Sequence, residues 1–312
     1  WDAAASWLGF DAVPEYPGGH LHLSRLSIEY HRGGRTLLPD PGILSYEMST
    51  WYGPAGKATR MHSTCNVDML SQSDTGARLL RTKTDEQFSV AHGRYESGYW
   101  PGRFDWGFYS EGRGPGVYGT HDRLLIWARD RCIVAIDNVA TDRGHHPHCH
   151  WLLDCGPLAQ SEDGRSVWTT RPENNLLLRT LPLEPTPAPE LTVYEGDEKQ
   201  GLGWLAETND KPVPAPLLSW KFAEGPMECA TVIVPFDKER PEVEMRLLSA
   251  PENAQRVLQL RWADGRLDEF AWTLRLMRGL GTYTVDGEER FSLNALRIRS
   301  ECEGDETLDW TL

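Results

Sequence analysis

Short apolar runs separated by turn-forming residues repeat along most of this chain. The runs are rich in β-branched and aromatic residues, and Gly, Pro and Asp stand between them, which is typical of short strands joined by tight connections. No segment carries a long apolar stripe at helical spacing. The pattern therefore predicts an all-β protein with antiparallel sheets in a sandwich or barrel. The clearest predicted strands are RLLIWA (123–128), CIVAIDNVA (132–140), ECATVIVPF (228–236), RVLQLRW (256–262) and FAWTLRLM (270–277).

Turn residues and prolines indicate how these strands are organised. Asp264-Gly265 predicts a hairpin between the last two runs. The Pro-rich segments at 181–190 and 210–216 are either a linker between two sandwiches or edge loops of one unit, and edge loops are favoured because strand-like runs continue on both sides. We predict one β-sandwich domain over residues 13–312, with a smaller C-terminal sub-sheet starting near residue 217. Residues 1–12 are interpreted as the end of an upstream helical region.

Composition and charge narrow the class of protein. The chain has 312 residues, 39% of them hydrophobic, with 13 Trp, so it can fill a large core. A net charge of −14 argues against a nucleic-acid partner, and no apolar run approaches the roughly 18 residues of a membrane span. The six cysteines have no CxxC spacing and are expected to be buried apolar side chains. The chain begins on Trp without Met, so we expect it to be the later part of a longer protein.

The stretch GGHLHLS (18–24) carries two histidines. If the stretch and the residues after it form one strand, His20 and His22 share a face and lie roughly 6.6 Å apart. That spacing fits two ligands of one metal, or two neighbouring sites with different roles. The cupin pattern also begins with HxH, but Glu29 comes too late and faces the opposite side, so a cupin is excluded.

Other side chains are candidates for binding. Asp40 and His62 would complete a His₂-carboxylate set with His22, which suits tetrahedral zinc with one open position. Spacings of 18 and 22 residues make no local motif, so metal binding stays one option. Several arginines in the nearly neutral first third fit either an anionic ligand or a solvated surface: Arg25, Arg32, Arg35, Arg60, Arg78 and Arg81.

Three further features have two interpretations each. The tract GHHPHCHW (144–151) is either a metal cluster or a hydrogen-bonded strand, and the strand is favoured because alternate histidines are too far apart for one ion; the roles of its four histidines, His145, His146, His148 and His150, stay unassigned. Arg123 either binds a carboxylate or forms a surface or structural ion pair, and the ion pair is favoured. Aromatic residues such as Trp51 either stack on sugar rings or pack within loops.

Taken in order, several motifs resemble the C-terminal β-domain of the heparinase II/III-like polysaccharide lyases. The similarity covers about residues 20–300. The motifs are Gly19-His20-Leu21-His22, GGRTLLPDPG (33–42), Tyr46, HSTCNVDMLSQ (62–72), AHGRYESGY (91–99), HDRLLIWARDRCIVAIDNV (121–139) and ATVIVPF (230–236).

The resemblance implies a fold and an activity. The fold would be a large antiparallel β-supersandwich, without the α/α toroid that precedes it in the family. The activity would be that of a carbon–oxygen lyase acting on anionic, uronate-containing polysaccharides such as glycosaminoglycans or alginate. The upstream toroid would be the partner domain and would carry the Tyr and His that act as base and acid. A periplasmic or secreted location is also implied.

The resemblance also implies roles for named residues. A largely structural metal, usually zinc, would be held by His22, Asp40 and His62. His20 would face the substrate cleft and offset the charge that develops on the uronate carboxylate when its C5 proton is removed. A tyrosine would also contact the cleft; Tyr46 fits the motif better and Tyr52 is the alternative. The expected substrate contacts are Arg60, Arg123 and Trp51.

The chain departs from the family pattern at two positions. Ser24 stands where the family commonly has Asp. This change would weaken the support that a neighbouring carboxylate gives to the orientation of a metal-binding His. Ser63 stands where the family has Asn, which would alter a substrate or backbone contact. The alternative to a lyase is a non-catalytic β-sandwich module that binds carbohydrate or has a structural role.

Overall fold

The predicted all-β architecture is confirmed in the computed structural model, and its strand pairings are antiparallel. The structure describes residues 5–14, 21–47, 49–50, 52–73, 75–101, 116–129, 131–183, 186–208, 210–250, 255–277, 290–301 and 308–311. Within those ranges, no helix is long and apolar enough to cross a membrane.

The regular elements are short, as the turn-rich sequence predicts. A single-turn helix α1 covers Tyr52–Ala55, and a 3₁₀ turn covers Thr59–Met61. The strands are β1 Trp7–Phe10, β2 Ile28–Arg32, β3 Arg35–Leu38, β4 Cys65–Val67, β5 Ser71–Gln72, β6 Arg78–Thr84, β7 Phe88–Tyr95, β8 Tyr99–Trp100, β9 Gly119–Ala128, β10 Cys132–Thr141, β11 Pro147–Leu152, β12 Leu158–Gln160, β13 Ser166–Thr169, β14 Asn175–Pro182, β15 Glu190–Tyr194, β16 Trp204–Thr208, β17 Lys211–Pro214, β18 Leu217–Lys221, β19 Met227–Phe236, β20 Val243–Ala250, β21 Gln255–Trp262, β22 Leu267–Met277, β23 Arg290–Glu301 and β24 Leu308–Thr311.

A central sheet organises the fold. It contains eight described strands in the order β12-β13-β14-β19-β10-β9-β7-β6. One face packs with a four-stranded sheet, β15-β18-β11-β4, and with a three-stranded sheet, β1-β2-β3. The other face packs with a five-stranded sheet, β20-β21-β22-β23-β24. The remaining described strands form two separate two-stranded sheets, β16-β17 and β5-β8.

Burial on both faces explains why the strongest strand pattern is an uninterrupted apolar run. In β10, Ile133 and Ala135 belong to the core shared with the four-stranded sheet. Val134 and Ile136 point the other way and join the core under the five-stranded sheet. Because successive side chains of a strand alternate between faces, the stretch of a strand that two layers cover is mostly apolar at successive positions. The run CIVAI therefore places β10 in the middle of the molecule.

The C-terminal part matches the sequence pattern in some respects only. The hairpin between β21 and β22 turns at Asp264-Gly265, as predicted. β18 and β19, which cover residues 217–236, belong to the four-stranded and central sheets, and the separate five-stranded sheet starts at Val243. The first Pro-rich segment includes the end of β14 and the start of β15, an edge strand, and the second contains β17.

Two predictions about the N-terminal part are wrong. Residues 7–10 form a strand paired with β2, where the end of a helix was expected. Residues 21–27 are a turn instead of the start of a strand, because Leu26 has a left-handed backbone with φ +64° and the Ser27 amide donates to the Ser24 carbonyl. The buried Leu26 side chain occupies space beside Gly93, where a Cβ atom would lie 2.5 Å from Leu26 Cδ2. A glycine at position 93 is what allows this close approach.

A buried ion pair connects the central sheet to the N-terminal segments. Arg123 on β9 donates from Nε and Nη2 to both carboxylate oxygens of Asp137 on β10, at 2.7 and 3.0 Å, and neither side chain is exposed. Its Nη1 donates to the carbonyls of Leu26 and Ser63, at 2.8 and 2.6 Å. The Asp137 carboxylate also accepts a hydrogen bond from His121 at 2.7 Å. Burial opposes both charges, but the pairing lowers the pKa of Asp137 and raises that of Arg123.

This position corrects the prediction that Arg123 contacts substrate. Its guanidinium is inside the fold and its donors are used by Asp137 and by backbone carbonyls. The alternative interpretation, a structural ion pair, describes what the structure shows.

Replacing Arg123 with Met will destabilise the protein strongly. The change leaves the Asp137 carboxylate buried without its main partner, a loss that typically costs about 3–5 kcal/mol. Urea unfolding measures the effect, and Arg123→Met/Asp137→Asn is expected to recover part of it. The control is Arg78→Met, since Arg78 forms an exposed pair with Glu96 and its loss should cost about 1 kcal/mol or less. Equal losses for the two single variants would contradict the assignment.

Candidate metal centre

Three predicted metal ligands come together although they are distant in sequence. His22 lies in the 21–27 turn, Asp40 follows β3, and His62 follows the 3₁₀ turn. His22 Nδ1 is 3.1 Å from His62 Nε2 and 3.5 Å from Asp40 Oδ1. His62 Nε2 is 3.2 Å from Asp40 Oδ2. The three side chains thus place one donor atom each around a single point, with His62 buried and the other two partly exposed.

Hydrogen bonds connect the two segments that carry His22 and His62. The Leu23 amide donates to the Lys57 carbonyl at 2.9 Å, and Thr59 Oγ1 donates to the Leu23 carbonyl at 2.5 Å. Gln72 then holds the turn from the other side: its Oε1 accepts from the Arg25 amide at 2.7 Å and its Nε2 donates to the Arg25 carbonyl at 2.9 Å. The turn that carries one histidine is therefore tied to the segment that carries the other.

Gln72 is a site residue whose role was not predicted from the sequence. It closes the motif HSTCNVDMLSQ and is 1% exposed. Thr64 of the same motif also donates to the Arg25 carbonyl, at 2.9 Å. A buried polar side chain must find hydrogen-bond partners. The polar residues Thr64 and Gln72 within the motif were therefore the sequence signal for this contact.

The Asp-Pro-Gly turn positions the carboxylate. Asp40 Oδ1 accepts a hydrogen bond from the Gly42 amide at 2.8 Å, which is the turn that Asp side chains commonly form with the backbone two residues on. Gly42 has φ +71°, and a Cβ atom there would lie 3.1 Å from Ala206 Cβ. The Ala206 amide donates to the Pro41 carbonyl at 2.9 Å, so the turn is fixed against β16.

The hydrogen bonds of His62 decide what the cluster needs. Its Nδ1 is 2.9 Å from the Ala58 carbonyl, and since a carbonyl only accepts, Nδ1 carries the proton. In the neutral ring Nε2 then has a free lone pair that points at His22 Nδ1 and the Asp40 carboxylate. His62 Nε2 and Asp40 Oδ2 are two acceptors 3.2 Å apart, and a metal ion among the three groups or a proton on His22 Nδ1 would offset their repulsion.

The distances fit a tetrahedral ion. A site with metal–ligand distances of about 2.0–2.1 Å has donor–donor edges of about 3.3 Å. The two histidine nitrogens are 3.1 Å apart, and Asp40 approaches His62 through Oδ2 at 3.2 Å and His22 through Oδ1 at 3.5 Å. The hydrogen bond from His62 Nδ1 to a backbone carbonyl is also the arrangement that orients histidine ligands in metal sites. The residues present therefore fit zinc, with a fourth position left open.

Nearby acidic groups increase the demand for a cation. Burial raises the pKa of Asp40, but the charge of His62 and hydrogen bonds with both histidines outweigh it, so that the pKa lies below its ordinary range. Burial and the charge of Asp40 raise the pKa of Glu29 on β2. The negative charge of Asp40 thus disfavours the ionised form of the neighbouring Glu29 carboxyl group.

The predicted cleft residues have different surroundings. His20 and Trp51 lie outside the described residues. Tyr46 is 55% exposed, whereas Tyr52 packs against an apolar cluster that includes Leu44. Arg60 is 2% exposed, which corrects its predicted place at a substrate surface.

The two departures from the family pattern have structural roles. Ser24 Oγ donates to Asp11 Oδ2 at 2.7 Å, so a carboxylate is present next to the turn although position 24 lacks one. Asp11 also pairs with Arg25, the most buried of the N-terminal arginines named apart from Arg60. Ser63 Oγ accepts from the Leu152 amide at 3.1 Å, which is a backbone contact to β11.

The histidine tract forms a hydrogen-bonded strand, the interpretation that the sequence favours. His148 and His150 lie on β11 with their rings stacked at 5.8 Å, and His150 Nε2 is 3.1 Å from Asn66 Oδ1. His145 Nδ1 is 2.5 Å from Asp68 Oδ2. Burial lowers the pKa of His150, and burial together with Lys221 lowers that of His148 to about 4. Among the described residues, these histidines do not bring three ligand atoms around one point.

Comparisons with known proteins agree with the resemblance seen in the motifs. The family described as "Heparinase II/III-like, C-terminal" matches residues 1–201. No curated protein matches the chain.

Solved structures share the fold. A heparan sulfate lyase, HepC, from Pedobacter heparinus is similar over 94% of this chain, with 20% identity and a TM-score of 0.67. A protein described as heparinase III-BT4657 gene product is similar over 100% of the chain, with 15% identity and a TM-score of 0.66. A heparinase III is similar over 100%, with 13% identity and a TM-score of 0.63. The chain spans 40% of the length of each of these proteins.

Stability will fall as the pH drops below about 6.5, in part because of His148. The unfolded chain takes up a proton near the ordinary histidine pKa of 6.5, whereas the folded protein does so only near 4. Above pH 6.5 His148 is neutral in both states and does not lower the free energy of unfolding. As the pH falls from 7 to 5, proton uptake by the unfolded chain lowers that free energy by about 2 kcal/mol. Urea unfolding at both pH values measures it. His148→Asn should show a smaller loss than wild type; an equal loss would contradict the pKa assignment.

Proposed function

This chain belongs to the heparinase II/III-like C-terminal family, and we propose that it is the β-sandwich part of a polysaccharide lyase that cleaves uronate-containing anionic glycans by β-elimination. The observation that carries the proposal is the convergence of His22, Asp40 and His62 within a domain of this family. The names of the structural neighbours, which include heparan sulfate lyase, support an anionic glycan as the substrate class.

Zinc is the proposed metal, and its role would be structural. His22 Nδ1, His62 Nε2 and an Asp40 oxygen would hold it. A bound divalent ion supplies a fixed positive charge that cross-links three loops. In this chain those loops are the 21–27 turn, the Asp-Pro-Gly turn and the segment after the 3₁₀ turn, and they border the proposed cleft. The ion thereby keeps the cleft residues in place without taking part in the chemistry.

The proposed cleft chemistry comes from residues next to these ligands. Removal of the C5 proton of a uronate places negative charge on its carboxylate, and a nearby cationic or hydrogen-bonding group must stabilise that charge. His20, two residues before His22, is proposed for that role. Tyr46 is proposed to contact the glycan in the cleft, and its 55% exposure supports it over the packed Tyr52. Trp51 is proposed to stack on a sugar ring.

The rest of the active site is proposed to lie upstream. The chain spans 40% of its solved relatives, so the base that removes the proton is assigned to an α/α toroid domain in the full-length protein. The two domains would bind the glycan between them, and each would supply part of the chemistry. A periplasmic or secreted location is proposed on the same family grounds.

Zinc content tests the metal site. Elemental analysis of the full-length protein should find about one zinc per chain, and His62→Ala and Asp40→Ala should each lower metal affinity by at least 10–100-fold, because a ligand is lost. His31→Ala is the control, since His31 lies in β2 and contacts Thr36. If both ligand variants keep wild-type zinc, the metal assignment is wrong.

Cleavage tests the lyase. The ultraviolet absorbance of the C4–C5 double bond formed by β-elimination should rise when full-length protein is mixed with heparan sulfate, alginate or another uronate polymer. Loss of a substrate hydrogen bond in Tyr46→Phe should lower kcat/KM by about 3–10-fold, and the matched variant Tyr52→Phe should have little effect. A full-length protein without activity on any uronate polymer that still binds glycan would support the alternative of a binding module.

A further inference from the structure

Two cysteines face each other across the strands next to the metal centre. Cys65 on β4 is the direct partner of Cys149 on β11. The neighbouring pair, Thr64 and His150, is joined by a ladder hydrogen bond of 2.9 Å from the His150 amide. Since hydrogen-bonded and non-hydrogen-bonded pairs alternate in an antiparallel ladder, the cysteines occupy a non-hydrogen-bonded pair, with Cα atoms about 4.5 Å apart. That separation lies within the range of about 4.4–6.8 Å found in disulfides.

The two thiols meet in the core with a third one. Their sulfur atoms lie within 4.8 Å of each other, and both side chains are unexposed. Cys229 on β19 of the central sheet also contacts the Cys149 thiol and is unexposed. Cys132, by contrast, lies in the other core, under the five-stranded sheet. The sequence prediction that the cysteines are buried is confirmed for these four; Cys155 is partly exposed and Cys302 lies outside the described residues.

The surroundings favour a covalent bond over a metal ion at this cluster. Asp137, which lies close enough to be a third ligand, already has both carboxylate oxygens bound by Arg123. Arg123 Nη2 is also 3.8 Å from Cys65 Sγ, so a cation would face a buried positive charge.

We propose that Cys65 and Cys149 form a disulfide when the protein folds in an oxidising compartment. The thiolate of Cys149 attacks one sulfur of an external disulfide, such as oxidised glutathione, and releases one thiolate. The Cys65 thiol loses its proton and attacks the Cys149 sulfur of the mixed disulfide, which releases the second thiol. Two protein thiols lose two electrons, and the external disulfide gains them to become two thiols. The exchange takes place before the layers close, because both sulfurs are inaccessible afterwards.

The bridge would restrict the motion of the segment that carries His62. Cys65 is three residues after His62, and β11 is anchored in the four-stranded sheet by β18. A bond between β4 and β11 would therefore fix the segment that carries the most buried ligand. The proposal does not depend on lyase activity, since it rests on the strand pairing and the buried thiols alone.

Peptide mapping tests the bridge in the full-length protein. The protein is produced in an oxidising compartment, unfolded in a denaturant that contains iodoacetamide, and digested without reductant. We expect one linked peptide pair joining Cys65 and Cys149, with Cys132 and Cys229 alkylated, and loss of the pair after reduction. In Cys149→Ala, Cys65 should become alkylated, whereas the matched core variant Cys132→Ala should keep the bridge.

Two results would overturn the proposal. One is full alkylation of Cys65 and Cys149 in the wild-type protein without reductant. The other is a Cys149–Cys229 link in place of the predicted pair. Because wild-type protein gives both readouts, the test stands even if a cysteine variant fails to fold.

Discussion

The buried ion pair between Arg123 and Asp137 is the interaction on which the candidate site depends. Its two charges lie between sheet layers, where an unpaired charge is costly, so the pair must be completed by hydrogen bonds. Arg123 completes it by donating to the carbonyls of Leu26 and Ser63. Those carbonyls belong to the segments that carry His22 and His62. The central sheet therefore fixes the relative position of two metal ligands through one side chain.

The metal centre adds a second constraint of the same kind. His62 presents an unprotonated nitrogen to His22 and Asp40 because its other nitrogen donates to the Ala58 carbonyl. A metal ion among the three groups, or a proton on His22 Nδ1, would offset the repulsion between His62 Nε2 and the Asp40 carboxylate. Gln72 supports the arrangement by satisfying both backbone groups of Arg25, so that hydrogen bonds within the protein hold the turn in place. The site thus combines a preformed protein framework with donors that fit a tetrahedral cation.

These constraints support a division of labour in the proposed lyase. Both faces of the central sheet are packed against other sheets, and the segments that carry His22 and His62 are tied to that sheet through Arg123. The exposed Tyr46 extends from the same framework, six residues after Asp40. A framework of this type suits a cleft shared with a second domain, because a small error in the position of a reacting group costs a large factor in rate. A Cys65–Cys149 bridge would reinforce that framework at the strand that follows His62.

The sequence by itself determined the features that depend on local pattern. Alternation and apolar runs predicted β9, β10, β19, β21 and β22, Asp264-Gly265 predicted a hairpin, and the motif order identified His22, Asp40 and His62. It did not predict the turn at Leu26, the strand at residues 7–10, or the burial of Arg60 and Arg123. Those features follow from contacts between distant segments, such as the side chain of Gln72 on the backbone of Arg25 and the space left by Gly93 for Leu26. Only the tertiary structure decided them, because the free energy of burying a charge or holding a left-handed residue depends on partners that lie far away in the chain.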